Sequence, residues 1–250
     1  MSAKPLAIDL FCGLGGWTEG LLAEGYRVVG YDIEAHEYDE EKYPAELVLQ
    51  DVLTINGAQF KDAALIVASP PCQEYSYMAM PWTRAKQIAA ALRGKGEFPQ
   101  GYRGSRTLAE LTALFDACFR IQREASKAAG HHIPMVVENV RGAVPWVGPA
   151  AWNYGSYYLW GDVPALMPQT LAAMKNPGFR FDGSGKSFQS ESVKRHNDSF
   201  GWDQRSELRN NSSKSPARKA ASAKIAKIPL PLSSWIARTY LPAASTARAA

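Results

Sequence analysis

The chain has 250 residues, 46% of them hydrophobic and 21% charged, which is enough to bury one sizeable core with at most a minor second lobe. No apolar run approaches the roughly 18 residues needed to span a bilayer, and the opening MSAKPLAIDLFCG has none of the regions of a secretory signal. Three scattered cysteines (Cys12, Cys72 and Cys118) exclude a disulfide framework and a cysteine-rich metal site, so a reducing cytoplasm and no metal are expected.

The net charge of +4 is unevenly spread. Residues 1–60 hold 3 Lys/Arg against 11 Asp/Glu, whereas residues 175–227 hold 12 against 5. A second basic stretch, Arg84 to Arg106, has 6 basic residues opposed only by Glu97. Segregation of this kind suits a polyanionic partner, and equally suits a solvated basic tail.

In chain order, Leu6–Leu10 is a short apolar run ending at a Gly-rich turn, Cys12-Gly-Leu-Gly-Gly16. Trp17 to Glu24 has helical spacing and Gly25 is placed to end it. Arg27–Tyr31, Glu46–Leu49 and Ala64–Ala68 read as the next strands, closed by Asp32, Asp51 and Pro70-Pro71. Thr107 to Ala128 is a long amphipathic helix carrying Leu108, Leu111, Leu114, Phe115 and Phe119 on its apolar side. It leads to a fifth strand, Met135–Val137, followed by Glu138-Asn139. Strands separated by helix-length connections, with polar residues at their ends, predict an α/β fold: a doubly wound, mostly parallel, Rossmann-like sheet. Ligands of such sheets lie beyond the C-terminal strand ends.

The second half reads differently. Residues 141–168, rich in Trp, Tyr, Gly and Pro, predict a hairpin around Trp152–Trp160. Residues 175–220 are polar and basic, either a small irregular lobe or a partly disordered segment. Ala220–Ile228 and Leu232–Leu241 can both be helical around Pro229-Leu-Pro231. The expected division is a catalytic and cofactor-binding domain at 1–164, a short basic recognition region at 165–222, and a C-terminal helix and tail at 223–250.

Three motifs carry chemistry. Asp9-Leu-Phe-Cys-Gly-Leu-Gly-Gly16 lets the backbone approach a ligand and opens a helix towards it, without G-x-G-x-x-G spacing. In register with it, Asp32 can accept from ribose hydroxyls and Asp51 from an adenine amino group. Ser69-Pro-Pro-Cys-Gln73 puts a thiol just past a strand end, held out of regular structure by two prolines. Cys118, on the apolar side of its helix, reads instead as a small core residue. Glu138-Asn139-Val140 brings a carboxyl to the same edge, expected near Cys72.

Together these residues resemble the DNA (cytosine-5) methyltransferase family: Asp-Leu-Phe-x-Gly-x-Gly-Gly, then Pro-Cys-Gln, then Glu-Asn-Val, in the family's order across residues 6–140. The resemblance implies S-adenosyl-L-methionine as cofactor, held by Phe11, Gly13, Gly15 and Gly16 with Asp32 on the ribose and Asp51 on the adenine. Asp9, Ile33, Val52 and Pro70 flank these positions and are assigned to the same ligand. It implies Cys72 as the nucleophile that adds to cytosine C6, Glu138 as the carboxyl at N3 and the 4-amino group, and Asn139 as a positioning group. The cytosine must leave the duplex stack to be reached. The segment after Gln73 resembles the family's mobile loop over DNA. Gln73, Arg84, Lys86, Arg93, Lys95, Arg103, Arg106 and Arg141 are its expected DNA contacts, with double-stranded DNA as the partner and a monomer as the working form.

The chain departs from the family in two places. Asn153 to Gly161 contains no arginine where a Gln-x-Arg-x-Arg motif is usual, and Lys227 to Ile236 replaces the late Gly-Asn-Ser-Val motif. The short recognition region resembles compact phage- or prophage-borne members and implies a short or relaxed target. A tRNA-methylating enzyme is the nearest alternative, disfavoured by the absence of Cys-Phe-Thr; a catalytically silent cofactor- or DNA-binding module is the other.

Overall fold

Seven apolar runs become strands: β1 (Leu6–Leu10), β2 (Arg27–Asp32), β3 (Glu46–Leu49), β4 (Ala63–Ala68), β5 (Met135–Asn139), β6 (Trp152–Tyr154) and β7 (Tyr157–Gly161). Among the described residues the helices are α1 (Gly16–Ala23), α2 (Trp82–Leu92), α3 (Leu108–Ala129), the short α4 (Val144–Val147) and α5 (Leu230–Thr239). This computed structural model describes residues 3–38, 41–73, 75, 82–97, 99, 107–167, 223–224 and 226–242. The chain divides into two compact units, Met1–Pro168 with Ile228–Ala250, and Gln169–Lys227. Nearly all of the second unit lies outside the described residues, as does most of the expected recognition region at 165–222.

The sheet runs β3-β2-β1-β4-β5-β7-β6. The first five strands are parallel neighbours, and β7 pairs antiparallel with both β5 and β6. The fold is therefore the doubly wound, mostly parallel α/β sheet expected. Strand order reverses between β1 and β4, which opens a crevice at the carboxyl ends of these two strands.

Alternation along the strands builds two cores. Ile8, Leu10, Ile66, Ala68, Met135 and Val137 face α3, meeting Leu111, Phe115, Cys118 and Ile121. Ala7, Val28, Leu65, Val67 and Val136 point the other way, against Trp17 and Leu21 of α1 and Leu232 and Ile236 of α5.

Element ends follow from local chemistry. Thr107 is the N-cap of α3 rather than its first residue, because its hydroxyl accepts from the Glu110 amide while Glu110 returns to the Thr107 amide. Gly130, at φ 75°, ends the helix. β5 extends past Val137 because Glu138 and Asn139 pair with Leu159 and Tyr158. Helix α5 starts at Leu230, ahead of the expected Leu232, since Pro229 serves as its N-cap and Pro231 falls in the first turn, where a missing N–H costs nothing. The hairpin around Trp152–Trp160 is present as β6 and β7.

Helix α5 closes over α1 by backbone approach. A Cβ on Gly20 would lie 2.4 Å from Ser233 Oγ and 2.5 Å from main-chain atoms of Ser233 and Ser234. Around this point the Tyr26 hydroxyl donates to the Ala237 carbonyl at 3.0 Å, and Arg238 grips Glu24 with two bonds of 2.7 and 3.1 Å. Alanine is ordinarily better than glycine in a helix interior by about 1 kcal/mol. Gly20→Ala is expected to do the opposite and lower stability by about 1–3 kcal/mol, as overpacking does. Urea denaturation of the two proteins checks this, and a stabilised variant would contradict the close approach.

Candidate active site

Strand parity lines up the polar groups at the carboxyl edge of the sheet. Asp32 follows Val28 and Gly30 on β2, Asp9 follows Ala7 on β1, and Ser69 follows Leu65 and Val67 just past β4. Glu138 follows Val136 on β5. All four belong to the face covered by α1 and α5. On β7, Tyr157 lies two residues from Leu159, the partner of Glu138, and so shares that face.

The Gly-rich turn is shaped by left-handed backbone at Phe11 (φ 57°), Gly13 (φ 51°) and Gly15 (φ 79°). Phe11 pays conformational energy that glycine would not, of the order of 1–3 kcal/mol. A Cβ on Gly13 would meet nothing within 4 Å, so this residue borders open space. One on Gly15 would collide with Pro44 Cδ at 2.6 Å, so Tyr43-Pro44 supports the turn closely. Gly16 is buried as the first residue of α1.

Asp9 is fully buried beneath the turn. Its Oδ2 accepts from the Thr18 hydroxyl at 2.7 Å, and the Thr18 and Tyr43 hydroxyls share a hydrogen bond of 2.6 Å. Asp9 Oδ1 has no partner among the described residues. Burial, reinforced by Asp32 and opposed by Thr18, pushes this carboxyl up to about 8. Asp32 behaves oppositely. Burial alone would raise it, but hydrogen bonds from His36, the Gly13 amide (2.9 Å) and the Ile33 amide (2.8 Å) hold it below the usual carboxylate range. Two carboxyls so close in space thus differ in charge.

Ile33 is 73% exposed beside Asp32. Asp51 caps the turn Val52–Thr54, accepting from the Leu53 amide at 2.9 Å. Val52 differs from expectation: it is buried in the core on the α3 side, and the exposed apolar side chain after Asp51 is Leu53. The turn's three-residue helix rotates Val52 inward and Leu53 out.

The Ser69-Pro-Pro-Cys72 segment is tied down at both ends. Trp17 Nε1 donates to Ser69 Oγ at 3.0 Å, and Asn139 Nδ2 donates to the Pro70 carbonyl at 2.9 Å. Beyond Cys72, the Tyr75 amide donates to the Cys72 carbonyl at 3.0 Å while the Tyr75 hydroxyl reaches the Leu111 carbonyl of α3 at 2.8 Å. Cys72 is partly exposed, whereas Cys12 and Cys118 are buried and burial pushes both thiols up, away from thiolate formation. Register carries Ser69 opposite Glu138, since Ala68 pairs with Val137. The thiol and the carboxyl therefore leave adjacent strands at the same edge.

Glu138 is half-buried at the end of β5. Burial pushes it up to about 8, partly offset by a hydrogen bond from Ser69. The Tyr157 phenol is raised to about 12, first by burial and then by Glu138. Trp17, Thr18, Tyr43, Tyr75 and Tyr157 thus join the site without having been singled out by motif, and Ser69, quoted only as the start of the motif around Cys72, joins it in its own right. Parity with Val67 was the available signal for Ser69; the others depend on tertiary packing.

The expected DNA contacts separate into groups. Gln73 is half-buried, and Lys86, Arg93, Lys95 and Arg141 are exposed, Lys86 stacking 5.4 Å from the Trp82 ring. Arg84 is buried rather than presented, because it shares the inward face of α2 with Ala85 and Ile88, one turn on. Arg103 and Arg106 lie outside the described residues. Among the described residues there is no metal-binding group of His, Cys, Asp and Glu, and no helix long and apolar enough to cross a membrane.

Solved structures that resemble the chain include a putative DNA modification methyltransferase encoded within an E. coli prophage (20% identity over 56% of this chain and 33% of that one, TM-score 0.31). Others are the Dnmt2 methyltransferase of S. pombe (15%, 56% and 36%, TM-score 0.31) and the methyltransferase EhMeth of Entamoeba histolytica (16%, 58% and 41%, TM-score 0.33). The chain spans about a third to two-fifths of the length of these structures. No curated protein matches it. The family model of the C-5 cytosine-specific DNA methylases matches residues 6–84, the stretch from β1 into α2 that holds the Gly-rich turn, Asp32, Asp51 and Cys72. In residues 6–84 the chain carries the sequence pattern of the C-5 cytosine-specific DNA methylases.

Proposed function

We propose that the protein transfers a methyl group from S-adenosylmethionine to carbon 5 of a cytosine in double-stranded DNA. The observation that carries this reading is a carboxyl, Glu138, pushed up to about 8 on the strand next to the one that leads to Cys72, the one cysteine of three that is not buried.

The cofactor fits the residues present. A cationic ligand with amino and hydroxyl donors suits the ionised Asp32 and the open side of Gly13. Exposed Ile33 and Leu53 offer apolar surface to a purine, with Asp51 at hand for its amino group. When bound, S-adenosylmethionine supplies an electrophilic methyl group.

The chain's own residues prepare the base to accept it. The Cys72 thiolate adds to C6, and the displaced ring electrons move towards N3. A protonated Glu138 holds its proton at N3, so the ring never carries the full negative charge and C5 becomes enamine-like. An ionised carboxylate there would oppose the same charge. Asn139 fixes the loop that carries Cys72 through the Pro70 carbonyl. After methylation, loss of the C5 proton lets the C6–S bond break, returning the electron pair to sulfur. Exposed Lys86, Arg93, Lys95 and Arg141 are suited to phosphate contacts.

Incubating the protein with duplex DNA and methyl-labelled S-adenosylmethionine, followed by bisulfite sequencing, tests the reading. Label should appear at cytosine C5 and vanish in Cys72→Ala; undiminished transfer by that variant would overturn the assignment.

The retained proton has a consequence for stability. An unfolded glutamate titrates near 4.3, so between about pH 4.3 and 8 the folded state binds the extra proton. The stabilisation is full below that window and is lost as pH rises through 8. Glu138→Gln, which cannot ionise, should gain stability relative to the parent protein as pH rises from 5 to 9. Urea midpoints measured across that range check the sign, and a constant difference would contradict it.

A further inference from the structure

The loop between β3 and β4 is gripped by one ion pair on α3. Arg120 and Glu124, one helical turn apart, meet at 3.1 Å. Both terminal nitrogens of Arg120 then reach the loop. Nη1 donates to the Ile55 carbonyl at 2.8 Å, and Nη2 donates to the Leu53 carbonyl at 3.2 Å and the Val52 carbonyl at 3.5 Å. Glu124 Oε2 accepts from the Gly57 amide at 2.6 Å, and that bond, ahead of Arg120, holds the carboxyl below its usual range. At the same point the loop seats on the helix backbone, since a Cβ on Gly57 would lie 2.2 Å from the Ile121 carbonyl oxygen. Each of these contacts is to loop main chain. They specify the path of residues 52–57, while Val52, Ile55 and Phe60 fill the core beneath.

We infer that Arg120 and Glu124 are positioning residues for the cofactor site, clamping the turn that presents Asp51 and Leu53 to the purine. The inference rests on the proposed function for the ligand, but not for the clamp. Asp51 caps the turn through the Leu53 amide, and the Leu53 side chain is exposed while its carbonyl is held by Arg120. Rotation of that peptide would displace both groups. A guanidinium suits the task because its planar fork places two donors at a fixed separation and so sets orientation, whereas a lysine offers a single point of charge. Glu124 orients the fork and secures the loop where it leaves the turn. Acting through the backbone, the pair governs how the adenine is read rather than the chemistry at Cys72.

Two measurements test this. In the unliganded protein the Leu53, Thr54 and Ile55 amides donate within the turn, to Asp51 and Val52. Their hydrogen exchange should quicken about tenfold in Arg120→Met, while Ile66 and Val67 in β4 keep the parental rate. Unchanged exchange in the turn overturns the clamp, and so does equal acceleration in β4, which would mark a general loosening. Calorimetric titration with S-adenosylhomocysteine and S-inosylhomocysteine, which has a carbonyl in place of the adenine amino group, reads the consequence. The parent should favour the adenine compound by about 10-fold or more, the scale of one hydrogen bond to a charged group. This preference should fall towards equality in Arg120→Met and in Glu124→Ala, and persist in Arg123→Met, which removes an exposed charge from the same helix. Equal binding of both compounds by the parent, a preference retained in Arg120→Met, or one lost in Arg123→Met overturns the positioning role. A parent that binds neither compound overturns the proposed cofactor, and the exchange measurement still decides on the clamp.

Discussion

Every second side chain of β1, β4 and β5 faces the core that α1 and α5 cover, and the register between the strands decides which polar groups meet on that face. Ala68 pairs with Val137, so the first residue beyond β4 stands opposite Glu138. A slip of one position would turn Asp9, Ser69 or Glu138 towards α3 and bring core residues to the edge instead. The two apolar cores forbid that slip, because each is filled by the alternate residues of the same strands. The precision of the site is therefore inherited from packing on both faces of the sheet. The Asn139–Pro70 and Tyr75–Leu111 bonds then hold the loop bearing Cys72 against that frame.

Burial does different electrostatic work at different points along this edge. Asp32 accepts enough hydrogen bonds to stay ionised, while Asp9 and Glu138 are pushed up to about 8. An ionised acid suits hydroxyl and cationic donors; a neutral one suits a ring nitrogen that gains charge during reaction. The separation of these roles uses no arginine in the strand beside Glu138. Leu159 of β7 pairs with Glu138 there, and Tyr157 lies on the same face.

Much of this was legible in the sequence because it is local. Apolar runs, the Gly-rich turn and the prolines before Cys72 each specify a short piece of backbone, and the strands fell where those runs lie. Apolar spacing from Thr107 marked the start of α3 within a residue. What was not legible depends on distant partners. Val52 points into the core because its three-residue helix turns it there, and Arg84 is buried because its face of α2 is the packed one. Pairing with β7 carries β5 on through Glu138 and Asn139, which a reading of Met135–Val137 alone leaves beyond the strand. The roles of Trp17 and Tyr43 arise only once α1 and the Tyr43-Pro44 loop have packed against the turn.

The central claim is that Cys72 and Glu138 act on one cytosine. It is tested most directly with DNA in which the target cytosine is replaced by 5-fluorocytosine, which blocks loss of the group at C5 and so traps the enzyme on its substrate. With S-adenosylmethionine present, a denaturation-resistant adduct should form and map by mass spectrometry to Cys72. An adduct on another residue, or none with any DNA that the protein binds, would contradict the account.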